Sequence, residues 1–374
     1  MISSLLRVAL TAVVLILAAA GAATTLAVAL TSAALMLAAG AVHVQAAEAP
    51  SQQQYDPCAK QGWLPAQQRI EACTEAIASG QWKHEDLAWA FGNRGAGYLF
   101  AGDLDRAVAD TDEALRIDPT YALALNIRGS AFAMKRDYDR AIADYDAAIR
   151  LAPNNPAAYQ NRGHTYASKG ELDRAIADFS EAARLAPSDP AHPYSRGVMY
   201  LDEGELDLAR TDFEQALRLN YEYVPALIGR GNVRQLTDDL DGAIADFSEV
   251  VEREPANTEA VLLRDALERR NGQPSRLAAA VKELDKPEWQ ASLVRLYLGE
   301  TTPDAVLTGI TDADPRIKND RVCEADFFIG ELALGRGDKN AAMRAFREAA
   351  TVCQLGSGFG TVVPAELRKL GARD

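Results

Sequence analysis

The sequence predicts an all-α protein, a solenoid of antiparallel helix pairs followed by a C-terminal helical subdomain of similar design. A strict repeat carries this prediction. An Arg-Gly pair recurs every 34 residues, from Arg94-Gly95 to Arg230-Gly231, each time with an aspartate sixteen residues after the arginine. The same period fixes the places of alanine, bulky and proline residues. Helical units of this length stack on their neighbours and bury a continuous core.

Five complete units span 88–121, 122–155, 156–189, 190–223 and 224–257. Each has glycine at its eighth position and alanine at its twentieth, where the two helices of a unit must approach closely. A bulky residue fills the twenty-fourth position, except that the first unit has Thr111 there. Proline ends the second helix in four units, because it lacks the amide donor and clashes with the preceding turn. Asn155-Pro156 and Asp189-Pro190 supply a cap residue before the next helix.

This pattern resembles the tetratricopeptide repeat family, whose helix pairs wind into a right-handed superhelix, and the resemblance covers about half of the chain. Weaker units extend it. IEACTEAI at 70–77 aligns with IADFSEAA at 176–183, and Gly330, Ala342, Phe346 and Ala349 fit a further unit that starts at Cys323. The expected domains are a signal peptide or uncleaved anchor (1–46), an N-terminal disulfide-stapled helical cap (47–87), five repeat units (88–257), a sixth helix A with a linker (258–273), and a tetratricopeptide-like helical subdomain (274–374).

The N-terminal segment predicts export. Arg7 is its only strong charge, an apolar run extends from Val8 to Val42, and the small residues of VQA place cleavage after Ala46. The run is also long enough to span a membrane as an uncleaved anchor, and a start codon misassigned upstream of Met36 is a further explanation of its length. The predicted location is the periplasm, with a tether to the inner membrane if the anchor stays.

Charge and motifs exclude several function classes. The net charge is -14 and no Lys/Arg cluster relieves it, so nucleic acid is not expected as a partner. The sequence contains no G-x-S-x-G elbow, phosphate-binding loop, dinucleotide fingerprint or H-E-x-x-H pair. No cysteine has histidine neighbours at metal-ligand spacing. We therefore expect no catalytic residue, no cofactor and no metal.

Four cysteines form two local pairs, Cys58 with Cys73 and Cys323 with Cys353. In an exported protein this indicates two disulfides, and four buried free thiols are the alternative. In the register of the resemblance, Cys73 takes the place of Phe179 and Cys58 falls on the preceding helix. Cys323 opens helix A of the last unit and Cys353 closes its helix B, so the two ends meet. Both ends of the solenoid are thus predicted to be stapled caps.

The arginine and aspartate of each repeat lie within one hairpin, so the guanidinium is expected to bind the carboxylate there. We predict a structural ladder of partly exposed pairs, each worth about 0–1 kcal/mol. The alternative is that the five arginines line an anion-binding groove. The ladder pairs are Arg94–Asp110, Arg128–Asp144, Arg162–Asp178, Arg196–Asp212 and Arg230–Asp246.

The resemblance also implies where a client would bind, because positions 2, 5, 6, 9, 12 and 13 of helix A face the concave groove in this family. Here these positions hold no lysine or arginine and one acid, so a lysine clamp on a peptide carboxylate is not available. Amides there suit the backbone of an extended peptide, although they could instead cap turns or face water. The predicted groove residues are Trp89, Asn93, Leu99, Phe100, Asn126, Met134, Asn161, His164, Tyr194 and Asn232.

A second resemblance concerns function. EWQASLVRLYLGETT at 288–302 and EADFFIGELALGRGDKNAAMRAF at 324–346 look like the C-terminal half of the NlpI-type bacterial envelope lipoproteins. Those are adaptors, dimeric in the best-known member, that bring peptidoglycan hydrolases to a protease. This sequence departs from them in lacking a lipobox cysteine, in its two cysteine pairs and in its more regular repeats.

The resemblance implies a non-enzymatic envelope scaffold that binds envelope proteins or peptide segments, with homodimerisation as a further expectation. A subunit of an exopolysaccharide secretion assembly and a cell-wall peptidase are the alternatives.

Overall fold

The computed structural model describes residues 58, 64–284, 288–353 and 359–372, all of which lie in one compact unit. These residues form eighteen α-helices and a short 3-10 helix at 281–283, without a strand, and consecutive helices pair antiparallel. The predicted all-α solenoid is therefore confirmed. The predicted export segment lies outside the described residues. Within them, no helix combines the length and the apolar character needed to cross a membrane.

The helices, numbered in chain order, are α1 (Ala66–Ala78), α2 (Glu85–Phe100), α3 (Leu104–Ile117), α4 (Ala122–Met134), α5 (Tyr138–Leu151), α6 (Pro156–Ser168), α7 (Leu172–Leu185), α8 (Ala191–Glu203), α9 (Leu206–Leu219), α10 (Val224–Leu236), α11 (Leu240–Arg253), α12 (Thr258–Arg270), α13 (Leu277–Ala280), α14 (Glu288–Leu298), α15 (Pro303–Thr308), α16 (Pro315–Gly335), α17 (Lys339–Val352) and α18 (Val362–Lys369). Helices A of the five units are α2, α4, α6, α8 and α10, and each packs against the helix B that follows it.

The glycine at the eighth position sets how closely the two helices of a unit pack. A Cβ atom on Gly163 would lie 2.9 Å from the ring of Phe179, and one on Gly129 would lie 2.8 Å from the ring of Tyr145. These aromatic rings are completely buried. The repeat therefore pairs an absent side chain on helix A with a large one on helix B.

The Arg–Asp ladder is present in all five units. In the third, Nε and Nη2 of Arg162 donate to the two oxygens of Asp178 at 2.8 and 2.7 Å. The aspartate side chains are 2–10% exposed, so the expectation of partly exposed pairs is wrong for the carboxylates. They lie between packed helices.

Sequence reasoning missed a third contact of these arginines. Nη1 of Arg162 donates to Asp146 on the helix B of the preceding unit, at 2.5 Å. Arg128 reaches Asp112 in the same way at 2.6 Å, and Arg196 reaches Ser180 at 3.1 Å. The ladder thus joins successive units as well as the two helices of one unit.

Both predicted disulfides are formed, Cys58–Cys73 and Cys323–Cys353. Two details of the prediction are corrected. Cys323 lies in the middle of α16, which already begins at Pro315 because Asp314 caps it by accepting from the amide of Arg316. Cys58 lies in a turn, and residues 59–63, where the rest of the expected first cap helix would lie, are outside the described residues.

The C-terminal helices continue the stack. α16 packs beside α12, and α17 pairs with α16. One hydrophobic core extends from Leu201 through Leu262 to Phe346 and Val363. The domain border that we placed at residue 274 stays a prediction, and this core passes across it.

Candidate functional site

Helices A of neighbouring units pack together, and we take the side that they form as the inner side of the solenoid. Successive helices A contact one another directly, α2 with α4, α4 with α6, and α8 with α10, in addition to their own helices B. We call this surface the inner face. It is formed by the groove positions of α2, α4, α6, α8 and α10 and of the later helices A, α12 and α16.

Exposed apolar side chains mark the N-terminal end of the inner face. Phe100 is 63% exposed, Met134 59% and Leu123 45%, and all three take groove positions on α2 or α4. Leu99 and Trp89 are half-buried nearby in sequence, and Trp89 stacks on Trp82 with ring centroids 5.9 Å apart. Phe100 and Met134 end α2 and α4, whereas Leu123 lies at the start of α4. Large exposed apolar groups cost solvation free energy in a free protein, so these side chains are suited to covering by a partner.

The groove asparagines form a partly self-satisfied polar track. Nδ2 of Asn161 donates to Oδ1 of the buried Asn126 across neighbouring helices A, at 3.2 Å. Nδ2 of Asn93 donates to the carbonyl of Trp89 one turn earlier, at 3.0 Å. Asn232 is half-buried on α10. The side-chain amides of Asn93, Asn126 and Asn161 each use one donor or acceptor within the protein. The role of the groove asparagines in holding a peptide stays a prediction.

His164 and Tyr194 give the middle of the inner face an uncharged aromatic character. His164 is exposed to solvent, but its ring packs on Phe179 with the ring centroids 4.9 Å apart. The partial desolvation by its packed neighbours, followed by the nearby His192, lowers its pKa. Tyr194 packs edge-on against Tyr223 at 5.5 Å, and burial raises its pKa. Both side chains are therefore neutral at pH 7.

His192 is an unexpected core residue. It occupies the third position of its unit, which is a fully buried alanine in the other four units, and it is 2% exposed with neither ring nitrogen hydrogen-bonded. Burial lowers its pKa, against an opposing effect of Asp189. The departure from alanine is visible in the sequence, but burial of the ring is not.

The far end of the inner face is covered by the chain's own last helix. Val362 and Val363 of α18 are completely buried against the core. At the other end of α18, Nζ of Lys369 donates to the carbonyl of Gln235 and to Asp238, each at 2.8 Å. Gln235 is a groove position, so α18 lies where a client was expected.

Buried charges fix α18 in this place. Arg270 on α12 donates to Glu366 of α18 at 3.2 Å and lies 3.7 Å from Glu331 of α16. Nε2 of Gln235 donates to the other oxygen of Glu331 at 2.9 Å. Burial, followed by repulsion from Glu366, raises the pKa of Glu331 to about 8. The hydroxyl of Thr361 donates to Asp202, the one acid among the groove positions of the five units.

A second group of carboxyls lies near the start of α12 and in the middle of α16. Burial, followed by repulsion from Glu259, raises the pKa of Glu324 to about 8, and Gln290 donates to its carboxylate at 3.3 Å. Burial raises the pKa of Asp326 to about 7. No set of three or more histidine, cysteine or acidic side chains in the described part of the chain is arranged to hold a metal ion.

The geometry of the Arg–Asp ladder does not favour the alternative that its arginines bind an anion. A cavity of about 320 Å³ between α7, α8 and α9 is lined by Arg196, Asp212, Asp189 and Arg218. Arg196 already binds both oxygens of Asp212 there. The guanidinium is therefore neutralised within its own unit.

Comparison with known proteins agrees with the fold. The sequence model of the tetratricopeptide repeat matches residues 93–156, 135–190, 160–223 and 194–260. No curated protein sequence matches the chain. The resemblance of the C-terminal helices to NlpI-type lipoproteins is not shown by these comparisons and stays a prediction.

Three solved structures illustrate the similarity. PilF of Pseudomonas aeruginosa is 22% identical and has a TM-score of 0.50, over 58% of this chain and 95% of that one. A tetratricopeptide repeat protein of Parabacteroides merdae is 18% identical with a TM-score of 0.48, over 76% and 99% of the two chains. YrrB, described as having an unusual peptide-binding site, is 22% identical with a TM-score of 0.41, over 51% and 97%. At these identities the similarity concerns the fold.

Proposed function

We propose that this protein is a non-enzymatic scaffold of the bacterial cell envelope which binds segments of client proteins. The proposal starts from the match of residues 93–260 to the tetratricopeptide repeat family. Repeat solenoids of this kind present extended inner surfaces on which partners bind. The client would lie on helices α2, α4, α6 and α8, since α18 covers the inner face beyond them.

One observation carries the proposal. Phe100, Leu123 and Met134 are exposed at groove positions of adjacent helices A, and the groove amides Asn93 and Asn161 are uncharged. The guanidinium of Arg69 lies over the ring of Phe100 at 5.8 Å, outside the groove positions. Apolar anchors surrounded by neutral donors and acceptors favour a segment that is recognised by its apolar side chains and its backbone. A strongly charged segment would find no charged side chain at the groove positions of α2, α4 and α6 and would lose hydration there.

The two disulfides support an exported location. Disulfides form and persist in oxidising compartments such as the periplasm, and are rare in the bacterial cytosol. Together with the apolar N-terminal segment, Cys58–Cys73 and Cys323–Cys353 favour a protein that works outside the inner membrane. We further propose murein hydrolases and envelope proteases as clients, on the basis of the resemblance in 288–346.

Peptide selection tests the binding surface. A displayed library of random peptides is selected on the mature chain, and the affinity of the selected peptides is measured by calorimetry. We expect the double change Phe100→Ser and Met134→Ser to weaken binding about tenfold or more, which is about 1.4 kcal/mol.

The matched control is the double change Leu151→Ser and Leu208→Ser. These leucines are 45% and 47% exposed on helices B, outside the inner face. If the control variant loses as much affinity as the inner-face variant, or if both keep wild-type affinity, the inner face is not the client site.

A further inference from the structure

The contacts of α18 differ from those of an ordinary terminal cap. In a solenoid each unit contacts only its neighbours, so a cap is expected to pack on the last unit alone. α18 packs on α17 of the last unit, as a cap does, but its contacts extend further. Thr361, which precedes the helix, donates to Asp202 on α8, and residues of the helix contact Gln235 on α10 and Arg270 on α12. Arg270 in turn lies 3.7 Å from Glu331 on α16. The segment thus lies at the C-terminal ends of three helices A, α8, α10 and α12.

The contacting groups of α18 have the pattern of a helical ligand. Two adjacent valines, Val362 and Val363, are buried. One turn later Glu366 forms an ion pair with Arg270, and after a further turn Lys369 forms one with Asp238. Just before the helix, Phe359 stacks on Phe327 at 4.5 Å. An amphipathic helix that presents spaced anchors to a groove is one of the recurring modes of peptide recognition.

We propose that the far end of the inner face is a helix-binding site which α18 occupies in cis, and that a client helix with the same pattern displaces it. The client helix would present two adjacent aliphatic residues, a carboxylate one turn later and a lysine after a further turn. This inference rests on the proposed scaffold function and adds a second, regulated part to its binding surface.

Two features make displacement feasible. α18 has eight residues, and helices of that length are not stable in water on their own, so the helix and its docking form together. The ion pair between Lys369, at the end of α18, and Asp238 is exposed to solvent, since the Asp238 side chain is 70% exposed. Exposed ion pairs contribute little to the binding free energy. Removal of α18 would open the inner face from α8 towards α16, which lengthens the surface available to a client.

A labelled peptide of residues 359–372 tests the site in trans. It is added to the full chain and to a full chain that carries Val363→Ala and Lys369→Glu, and binding is followed by fluorescence anisotropy. We expect the weakened chain to bind the peptide about tenfold or more tightly than the wild type, which already holds its own helix. A peptide that carries Val363→Ala should lose about tenfold in affinity, because this side chain is completely buried.

The control variant Lys83→Glu reverses an exposed charge between α1 and α2, at the other end of the helix stack, and should bind the peptide no better than the wild type. A chain with Glu366→Gln, which keeps both valines, provides a second weakened form if the first loses its helical circular dichroism. Equal binding by wild-type and weakened chains, or no binding by a folded weakened chain, would overturn the proposal. Neither result would affect the peptides selected on Phe100 and Met134, so this inference fails separately from the proposed function.

Discussion

The two acidic partners of Arg162 allow the effect of burial on the strength of an ion pair to be measured, because both carry the same charge. Asp178 is 7% exposed and Asp146 is 39% exposed, yet both bind the same guanidinium. Removing one partner of a buried pair costs about 3–5 kcal/mol, whereas an exposed pair contributes about 0–1 kcal/mol. For Asp178→Asn we expect about 3 kcal/mol, since the amide oxygen can still accept one hydrogen bond. For Asp146→Asn we expect at most about 1 kcal/mol.

Thermal unfolding under non-reducing conditions measures the difference. A loss of 1 kcal/mol lowers the melting temperature by about 2–4 °C in domains of 150–250 residues, so Asp178→Asn should lower it by about 6 °C or more. Asp146→Asn should lower it by no more than about 4 °C. Urea unfolding provides a second probe, because long repeat arrays need not melt in one step. Equal shifts for the two variants would refute the reasoning that burial between helices gives the ladder its strength.

Three further perturbations test the packing, the staples and the buried acids. Gly163→Ala places a methyl group 2.9 Å from the ring of Phe179 and should cost about 1–3 kcal/mol in urea unfolding, with partial recovery on adding Phe179→Leu; an unchanged midpoint would contradict the close-packing account. Cys323→Ser opens a disulfide that spans 30 residues and should lower the free energy of unfolding by about 3–4 kcal/mol. A melting temperature that neither this change nor dithiothreitol alters would show that the disulfide does not stabilise the fold. In the folded chain the pKa of Glu324 is raised to about 8, so this carboxyl binds its proton more tightly in the folded than in the unfolded chain. Its contribution to stability is therefore present below about pH 4.5 and is lost as the pH rises to about 8. Glu324→Gln should reduce the fall in melting temperature between pH 5 and pH 8.5, and an unaltered fall would exclude this carboxyl as its source.

Local rules were sufficient to predict the repeat. The eighth-position glycine, the buried aromatic residue and the Arg–Asp pair each depend on contacts within one hairpin, so the 34-residue period determines them. The disulfides were predictable for the same reason. Contacts between units were harder to predict, as shown by the reach of Arg162 to Asp146 and the burial of His192 at an alanine position.

The position of α18 could not be predicted from the sequence. The segment around Val362 and Glu366 indicates a short amphipathic helix, but an amphipathic pattern does not specify which surface covers its apolar side. Here the covering surface combines the preceding helix α17 with residues more than 90 positions away, including Gln235 and Arg270. The repeat register predicts a helix start at Cys323, whereas the cap Asp314 and the following Pro315 are the start signal that α16 follows.

The most direct test of the scaffold account is photo-crosslinking in living cells. A benzoylphenylalanine residue replaces Met134 on the inner face, and in a second strain it replaces Leu208 on α9, where exposure is similar. The account predicts crosslinks from position 134 to defined envelope proteins that are absent from position 208, and their loss when Phe100→Ser is added. The same crosslinked proteins from both positions, or none from position 134, would contradict the claim that the inner face binds clients.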